Sequence, residues 1–437
     1  MPIESGVGPD AAARRVVMLS LHTSPLAQAG TGDAGGLNVY VNQLAHALAE
    51  RGTTVDIVTT DLDVAPGQGP EFATQSGDRR AALHPRLRVH VLQVCQNCRE
   101  DKSRLLRCIA DLSQRALVSL KSADPHPVDV VHSHYWLSGL AGISLAASLG
   151  AELVHTMHTI GAVKLERDPD AAEDPQRHRA EQQIAAAASA LTANTRREAA
   201  DLQRIFDAPP ERIAMVQPGT ALGTFHPPTG VDPRLTPPTQ RTLRLAFAGR
   251  LQPHKGPQVA VAAVGRLRSR LPHLKVELTV AGRQSGPDSV DISALAHDAG
   301  ISDILVTKKP LPHPDLAELF RTSDALLVPS YSESFGLVAL EAKACGTPVL
   351  AHNVGGLAEL VDHGRSGILI DSLDPEDWAA ALEKLVSDWN LWTAFSRAAA
   401  DLARGYSWDA TALQAQAAYE RVLTAYSGSA RQPCTSD

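Results

Sequence analysis

Short apolar segments alternate with amphipathic segments through the first half of the chain. The apolar segments favour buried strands and the amphipathic ones favour helices. Strands are predicted at 15–21, 54–60, 87–94, 128–132, 153–156, 190–193 and 213–216. Helices are predicted at about 37–50, 102–120, 137–148, 175–188 and 196–205. Strands that alternate with helices predict an α/β fold with a parallel, doubly wound sheet.

A second alternating series follows a Pro- and Gly-rich stretch at 218–242 that has no periodicity. Its strands are predicted at 243–247, 276–281, 304–307, 325–329, 348–351 and 367–370. Its helices are predicted at 257–270, 289–299, 315–322, 335–345, 356–362, 376–389 and 392–404. Two Rossmann-like domains are therefore predicted to face each other across a cleft that holds the ligands, because such sheets bind ligands at the carboxyl ends of their strands.

The predicted domain limits follow from these two series. The expected parts are an N-terminal domain at 14–220, a linker at 221–241, a C-terminal domain at 242–405, a last helix at 406–426 that packs back on the first domain, and a disordered tail at 427–437.

Composition narrows the class of protein. The chain has 437 residues, is 44% hydrophobic and carries a formal net charge of −7, which argues against a nucleic-acid partner. It has no apolar run long enough for a membrane span and no secretory signal at its start. Its five cysteines, an odd number, fit reduced thiols, so we expect a cytoplasmic protein.

The segment 328–347, VPSYSESFGLVALEAKACGT, holds the most informative residues. It predicts a strand, a turn and a helix closed by Gly346, with Ser332 or Ser334 as the N-cap. Glu333 lies near the unpaired N–H groups of the first turn, where an anionic ligand would be stabilised. Glu341 interrupts an apolar run, so its carboxylate needs a partner: an internal Arg or Lys, or the diol of a sugar.

Glycines and cations follow the first predicted strand of each domain. Gly30 to Gly35 satisfies G-x-G-x-x-G, but it begins well after the strand, so it is a weak match to a dinucleotide fingerprint and could instead cover a substrate. Arg250 and Lys255 could neutralise a diphosphate without a metal, or form an ordinary exposed basic turn.

Three further groups of polar residues could carry chemistry. His132, His134, His155 and His158 lie at two strand ends, yet no carboxylate pattern for a metal accompanies them. Asp61 and Asp63 form a D-x-D that we expect to be solvated. Cys95 and Cys98 form a single C-x-x-C with Cys108 downstream, and without a second pair or a His pair we expect ordinary thiols.

Taken together, the motifs resemble those of the retaining GT-B glycosyltransferases of family 4. The E-x-F-G-x-x-x-x-E signature is matched by Glu333, Phe335, Gly336 and Glu341. HTSPLAQAGTGDAGGLNVYV, HSHYWLSG and HTMHTIGAVK are similar to the branch that transfers N-acetylglucosamine to inositol phosphate in the first step of mycothiol biosynthesis. The resemblance extends from about residue 15 to residue 426.

The resemblance implies a UDP-sugar-dependent retaining hexosyltransferase with a role for each matching position. It implies that UDP-N-acetylglucosamine lies against Gln28, Ala29, Gly36, Arg250, Lys255, Leu311, Glu333 and Glu341. It implies that inositol phosphate is held by His22, Asp33, Ala34, Gly35, Gly36, Leu37, Asn38, Lys102, Tyr135, Thr159 and Arg177. The catalytic set would be His158, Arg250, Lys255 and Glu333.

The resemblance also has implications for metal binding, for the oligomeric state and for the departing phosphate. It implies no catalytic metal, but a structural Mg²⁺ held at Phe320, Arg321, Ser323 and Thr347. It suggests a homodimer. It further implies front-face transfer, in which the departing phosphate takes the proton of the acceptor hydroxyl.

Some positions depart from the family pattern and leave rivals open. Ala29 replaces a usual Pro, Arg283 a usual Gly, and Leu311 stands where an Arg can contact the nucleotide. The rivals are another family-4 enzyme similar to sucrose-phosphate synthase, a catalytically silent binder of nucleotide sugars, and an NAD-dependent oxidoreductase that uses the Gly loop.

Overall fold

The computed structural model describes residues 13–27, 35–62, 72–73, 79–100, 102–167, 173–284 and 290–429. These residues form two compact units. Of the described residues, those within 13–27, 37–217 and 409–429 belong to the first unit, and 35–36 with those within 218–408 belong to the second.

The first unit is built on a sheet of nine strands in the order β3-β4-β5-β2-β1-β6-β7-β8-β9. The strands are β1 (Arg15–Ser20), β2 (Thr54–Thr60), β3 (Phe72–Ala73), β4 (Arg79–His84), β5 (Leu87–Leu92), β6 (Val130–His134), β7 (Glu152–Thr156), β8 (Ala190–Ala193) and β9 (Ile213–Met215). Pairing is parallel from β5 through to β9. The parallel α/β prediction is therefore confirmed for this unit.

Two antiparallel strands at the edge of this sheet were not predicted. β4 pairs antiparallel with β5, and β3 pairs antiparallel with β4. β4 reads RRAALH and has no buried residue among its six, so it lacks the apolar run that identifies the central strands. By contrast every residue of β1 is buried, as expected for a strand covered on both faces.

Helices connect the strands of the first unit. They are α1 (Gly36–Glu50), α2 (Gln96–Glu100), α3 (Ile109–Ala123), α4 (Trp136–Leu149), α5 (Gly161–Arg167), α6 (Arg177–Ala187) and α7 (Arg196–Phe206). The single helix predicted at 102–120 is in fact a 3₁₀ segment, Lys102–Cys108, followed by α3. α5 lies in a polar stretch where no helix was predicted.

The second unit is a six-stranded, fully parallel sheet in the order β12-β11-β10-β13-β14-β15. Its strands are β10 (Leu243–Ala248), β11 (Val276–Ala281), β12 (Leu305–Lys308), β13 (Ala325–Val328), β14 (Val349–His352) and β15 (Gly367–Ile370). Its helices are α8 (Pro257–Arg270), α9 (Ile292–Asp298), α10 (His313–Thr322), α11 (Leu337–Ala344), α12 (Leu357–Leu360), α13 (Pro375–Ser387) and α14 (Trp389–Ala403). The strand order reverses between β10 and β13, which is where such sheets bind ligands.

The last helix, α15 (Trp408–Ser429), belongs to the first unit from Asp409 onward. The hydroxyl of its buried Tyr419 lies 2.8 Å from Nδ1 of His132, a residue of β6. Arg51, which follows α1, bonds to Gln416 and Asp409 of the same helix. No helix in the described parts of the chain is long and apolar enough to span a membrane.

Candidate functional site

An ion pair marks the carboxyl edge of the second sheet. Nζ of Lys255 lies 2.7 Å from Oε2 of Glu333. Lys255 ends a 3₁₀ turn, Pro253–Lys255, that follows β10, and Glu333 lies in the loop after β13. The two motif residues therefore come together where the strand order reverses. Both side chains are only partly exposed, which strengthens the pair relative to one in open water.

Close backbone packing holds these two loops in place. The N–H of Tyr331 donates to the carbonyl of His254, and Gly256 has a φ of +74°. A Cβ at Gly256 would lie 2.0 Å from the carbonyl oxygen of Pro329. Gly355 is equally restricted, because a Cβ there would lie 1.8 Å from the carbonyl oxygen of Glu333. Only glycine fits at either position, so both loops are fixed against the sheet edge.

Helix α11 begins later than predicted. Its N-cap is Gly336, with a φ of +99° and no side-chain cap, so neither Ser332 nor Ser334 caps it. A Cβ at Gly336 would lie 2.7 Å from the side chain of Leu357, which explains the glycine of the motif. The other end agrees with prediction: Gly346, at φ +68°, follows the C-cap. The first turn thus leaves backbone N–H groups for an anion beside Glu333.

Glu341 is a buried carboxyl on α11. It forms no ion pair with any residue in the described ranges, so the internal Arg or Lys considered for it is not found there. Burial raises its pKa to about 8. A buried carboxyl without a protein partner is costly, and such groups are concentrated where a ligand supplies the missing hydrogen bonds.

Arg250 and Leu311 occupy other loops at this edge. Arg250 follows β10, is half-buried, and makes no hydrogen bond or ion pair with another described residue. Its guanidinium is therefore available to a ligand. Leu311 follows β12 and packs against the apolar cluster that contains α11. Only its backbone could form a hydrogen bond with a nucleotide.

A second polar cluster lies at the carboxyl edge of the first sheet. Arg177 donates from Nη2 to the carbonyl and the hydroxyl of Thr159 at 2.7 and 2.9 Å. The Tyr135 ring lies 4.9 Å from the guanidinium carbon and 4.2 Å from the His22 ring. His22, Tyr135 and Thr159 follow β1, β6 and β7, which are neighbours in the sheet. Four of the predicted acceptor residues are thus brought together.

Two glutamates surround Arg177 and were not predicted. Oε1 of Glu181 accepts from Nε of Arg177 at 2.7 Å, and Oε2 of Glu173 accepts from Nη1 at 2.7 Å. Glu173 also pairs with Lys164. Burial raises the pKa of Glu181, although Arg177 and the N–H of Gly161 favour its charged form. Each glutamate lies four residues from Arg177 in the sequence, and this spacing could have predicted both ion pairs.

The structure places the other residues predicted to bind the acceptor in several different segments. Gly36 begins α1, so Gly36 and Leu37 contribute first-turn N–H groups, and Gly35 precedes them. Asn38 is buried, and its amide donates to the hydroxyl of Thr23 and the carbonyl of Ser24, which holds the loop after β1. Lys102 begins the 3₁₀ segment. The predictions for Gln28, Ala29, Asp33 and Ala34 lie outside the described residues.

Four histidines form a buried cluster behind this edge. Nδ1 of His134 lies 3.0 Å from Nε2 of His158, and Nε2 of His132 lies 2.8 Å from the hydroxyl of Thr156. Burial lowers the pKa of His132 and of His155 to about 3, and holds that of His158 well below its usual range. These imidazoles are neutral at neutral pH and act as hydrogen-bonding groups.

Backbone strain coincides with this cluster. Tyr135 has φ +71° and ψ +154°, and His158 has φ +59°. Asp207 is the other described non-glycine residue with positive φ. Strained conformations of this kind persist where the surrounding structure fixes them, and they are concentrated at functional sites. His158, predicted to be catalytic, therefore lies at a constrained position at the end of β7.

The predicted Mg²⁺ ligands do not fit a magnesium site here. Arg234, which is 2% exposed, donates from Nη1 to the carbonyls of Phe320 and Ser323 at 3.3 and 3.1 Å and to the hydroxyl of Thr347 at 2.9 Å. Its Nη2 donates to the carbonyl of Cys345. These oxygens already surround a guanidinium cation, and a divalent cation among them would face its charge. Arg321, the remaining member, bonds through its side chain to Thr224 and Glu318.

Comparisons with known sequences agree with the two-unit division. The family described as "Glycosyl transferases group 1" matches residues 236–402, and "Glycosyl transferase 4-like domain" matches residues 35–219. D-inositol 3-phosphate glycosyltransferase of Pseudarthrobacter chlorophenolicus is 40% identical over 426 residues, covering 95% of this chain and 97% of that protein. The protein of the same name from Xylanimonas cellulosilytica is 42% identical over 91% of this chain and 94% of its own length.

Solved structures show the same fold. Sucrose-phosphate synthase from Thermosynechococcus elongatus is 27% identical, with a TM-score of 0.81 over 94% of this chain and all of the other. Anabaena HepE in complex with UDP and glucose is 17% identical, with a TM-score of 0.66 over 95% of this chain and all of the other. The fold is GT-B, and the chain belongs to the glycosyltransferase family whose members are named D-inositol 3-phosphate glycosyltransferase.

Proposed function

We propose that the protein transfers N-acetylglucosamine from UDP-N-acetylglucosamine to 1D-myo-inositol 3-phosphate with retention of configuration, as the first step of mycothiol biosynthesis. The observation that carries this proposal is the convergence of His22, Tyr135, Thr159 and Arg177 at one sheet edge, a set suited to a phosphate-bearing polyol. The names of relatives about 40% identical over nearly the whole chain support the same acceptor.

The donor would bind at the edge of the second sheet. Arg250 and Lys255 would neutralise the diphosphate, with the first-turn N–H groups of α11. Glu341 would accept hydrogen bonds from the ribose diol, which would supply its missing partners. Glu333 would orient Lys255 and contact the transferred sugar. Gln28, Ala29, Gly36 and the backbone of Leu311 are proposed as further donor contacts on the resemblance alone.

The acceptor phosphate would displace part of the salt-bridge cluster around Arg177. All the N–H groups of that guanidinium are already directed at Glu181, Glu173, Tyr135 and Thr159. The phosphate would replace Glu173, which is the less buried of the two glutamates. Lys102 and the N–H groups from Gly35 to Asn38 would complete the phosphate site.

The chemical step would need no nucleophile from the protein. Negative charge grows on the departing UDP, where fixed cations stabilise it more in the transition state than in the ground state. The departing phosphate oxygen would accept the proton of the inositol hydroxyl as that oxygen bonds to the anomeric carbon. His158, neutral and rigidly held, would donate a hydrogen bond to the donor sugar. We propose that no catalytic metal takes part; a homodimer stays a prediction.

An acceptor screen tests the proposal against its rivals. With UDP-N-acetylglucosamine as donor, we expect UDP release with inositol 3-phosphate and little with fructose 6-phosphate. The opposite preference would favour an enzyme similar to sucrose-phosphate synthase. UDP binding without turnover on either acceptor would favour a silent binder. Tight NAD binding without UDP binding would favour the oxidoreductase, although β1 ends at Ser20 and α1 begins only at Gly36, far from the tight turn of a dinucleotide fingerprint.

A further inference from the structure

Three cysteines converge in the first unit, in the segment that joins β5 to α3. Sγ of Cys98 lies 3.3 Å from Sγ of Cys95 and 3.3 Å from Sγ of Cys108. All three sulfur atoms lie within 4.8 Å of one another. Cys95 is exposed, Cys98 is buried and Cys108 is intermediate, so the cluster opens to the surface on one side. The three thiols, expected from the sequence to be ordinary, are thus close enough in space to act together.

The segment from Cys95 to Cys98 forms a hydrogen-bonded turn. Cys95 follows β5 by a few residues and precedes α2, and the N–H groups of Cys98 and Arg99 both donate to its carbonyl. Cys95 and Cys98 therefore lie at a strand-to-helix turn, and α2 was not predicted from the sequence. The intervening 3₁₀ segment then returns the chain so that its last residue, Cys108, reaches the same point.

One buried carboxylate holds both flanks of this turn. Oδ1 of Asp61 accepts from the N–H of Val94 at 3.0 Å, and its Oδ2 pairs with Arg99. Asp61 is 7% exposed, so the prediction that it is solvated is wrong. Asp63, the other carboxylate of that D-x-D, lies outside the described residues. The two cysteines thus stand on a backbone that is fixed independently of their thiols.

We propose that Cys95, Cys98 and Cys108 bind a soft divalent cation, best represented by Zn²⁺, and leave one coordination position open. Sulfur atoms bonded to one zinc at about 2.3 Å in a tetrahedron stand about 3.8 Å apart. Two of the three separations are 3.3 Å and the third is at most 4.8 Å, so small side-chain rotations would bring the sulfur atoms to that spacing. A disulfide would engage only two of the three sulfurs and would leave the third unexplained.

Polar and charged residues lie beside the proposed metal site. Binding releases the thiol protons, and three thiolates with one Zn²⁺ carry a net charge of −1. Arg99 and Arg115 line a cavity of about 440 Å³ beside Cys95, together with Gln93, Val94 and Gln96. Both arginines are paired with carboxylates, Arg99 with Asp61 and Arg115 with Asp111, so this side of the cluster is polar and water could complete the coordination.

The site would fasten the segment that carries Lys102. Cys98 precedes the 3₁₀ segment and Cys108 ends it, so the ion would tie the end of β5 to the beginning of α3. If Lys102 binds the acceptor phosphate, removal of the ion should raise KM for inositol 3-phosphate and leave KM for the donor unchanged. This last consequence rests on the proposed function, whereas the metal site does not.

Metal analysis and cobalt substitution test the site directly. The full chain, purified under reducing conditions, should hold about one zinc ion, measured by inductively coupled plasma mass spectrometry. Co²⁺ added to the metal-free protein should give a thiolate-to-cobalt charge-transfer band and the d–d bands of a tetrahedral ion. Cys95→Ser, Cys98→Ser and Cys108→Ser should each lose or weaken these bands, and Cys434→Ser, the matched control, should keep them.

Thiol labelling keeps the test valid if a serine variant fails to fold. In the native chain, Zn²⁺ should protect three cysteines from a thiol reagent, and a chelator should expose them. Absence of the cobalt bands in reduced protein would overturn the proposal. So would bands that survive Cys108→Ser unchanged, or a Cys95–Cys98 disulfide found by mass spectrometry in protein purified without oxygen.

Discussion

Nζ of Lys255 and Oε2 of Glu333 lie 2.7 Å apart, joining the loops after β10 and β13. The pair compensates the charge of Lys255 before any ligand arrives. Arg250, on the same loop as Lys255, has no such partner among the described residues. Arg250 is therefore an uncompensated cation on this loop, and it should contribute more than Lys255 to the binding of a departing diphosphate.

Replacement of Arg250 should reduce catalysis strongly. We expect Arg250→Ala to lower kcat/KM about 10²–10³-fold, since loss of one fixed group that stabilises transition-state charge has about that effect. Arg244→Ala removes an exposed arginine from β10 itself and should change kcat/KM little. Steady-state kinetics of UDP release measures both. Equal effects of the two substitutions would contradict a specific role for Arg250.

Donor binding should release a proton from Glu341. Burial raises the pKa of this carboxyl to about 8, so at pH 7 the protonated form predominates in the free protein. Hydroxyl groups of a ribose that donate to the carboxylate would lower this pKa and release the proton. Calorimetry of UDP binding in buffers of different ionisation enthalpy should show release near pH 7 that fades by pH 9. Glu341→Gln should abolish it; release unchanged in that variant would exclude Glu341 as the source.

Loss of Arg177 should destabilise the first unit as well as impair acceptor binding. Arg177→Ala leaves Glu181, which is fully buried, without its ion pair, at a cost of about 3–5 kcal/mol. Adding Glu181→Gln should recover part of that cost. Arg179→Ala, an exposed change on the same helix, should stay within about 0.5 kcal/mol. Urea unfolding measures all three; an Arg177→Ala chain as stable as the parent would refute the buried-pair account.

Stability should fall as pH decreases from 7 to 5. His132 and His155 have pKa values lowered to about 3, so only the unfolded chain binds their protons in this window. Below pH 6.5, each therefore costs about 1.4 kcal/mol of unfolding free energy per pH unit. His155→Gln should flatten the slope, and His178→Gln, on an exposed histidine, should not. If the unfolding free energy of the parent chain is constant from pH 7 to 5, His132 and His155 are not buried in their neutral form.

Periodicity was sufficient to predict both parallel sheets, because strands buried on both faces are continuous apolar runs. β4 was missed because it lies next to the edge of the sheet, where none of its residues is buried and no such run is needed. The helix predicted from 335 begins at Leu337, since Gly336 takes a left-handed conformation, and a Cβ there would also meet the Leu357 side chain. Contacts between distant segments decide these boundaries, and a local pattern does not contain them.

The functional sites, like the fold, could be predicted from the sequence only in part. Glu333 and Lys255 were predicted from motifs, and their contact follows from strand order. The oxygens around Arg234 could not be foreseen, because Arg234 lies in a segment interpreted as a linker, far along the chain from Phe320 and Thr347. Cys108 was likewise separated from Cys98 by a segment predicted as α-helix. A 3₁₀ segment has a different rise and twist, which redirects the last residue.

Proton NMR of the reaction, with UDP-N-acetylglucosamine and inositol 3-phosphate as the substrates, tests retaining transfer to inositol phosphate. We expect UDP and a glycosylated inositol phosphate to appear in equal amounts, and the new anomeric proton to have the small coupling of an α-linkage, the configuration of the donor. A β-linked product, or UDP formed without any glycosylated inositol phosphate, would contradict such transfer.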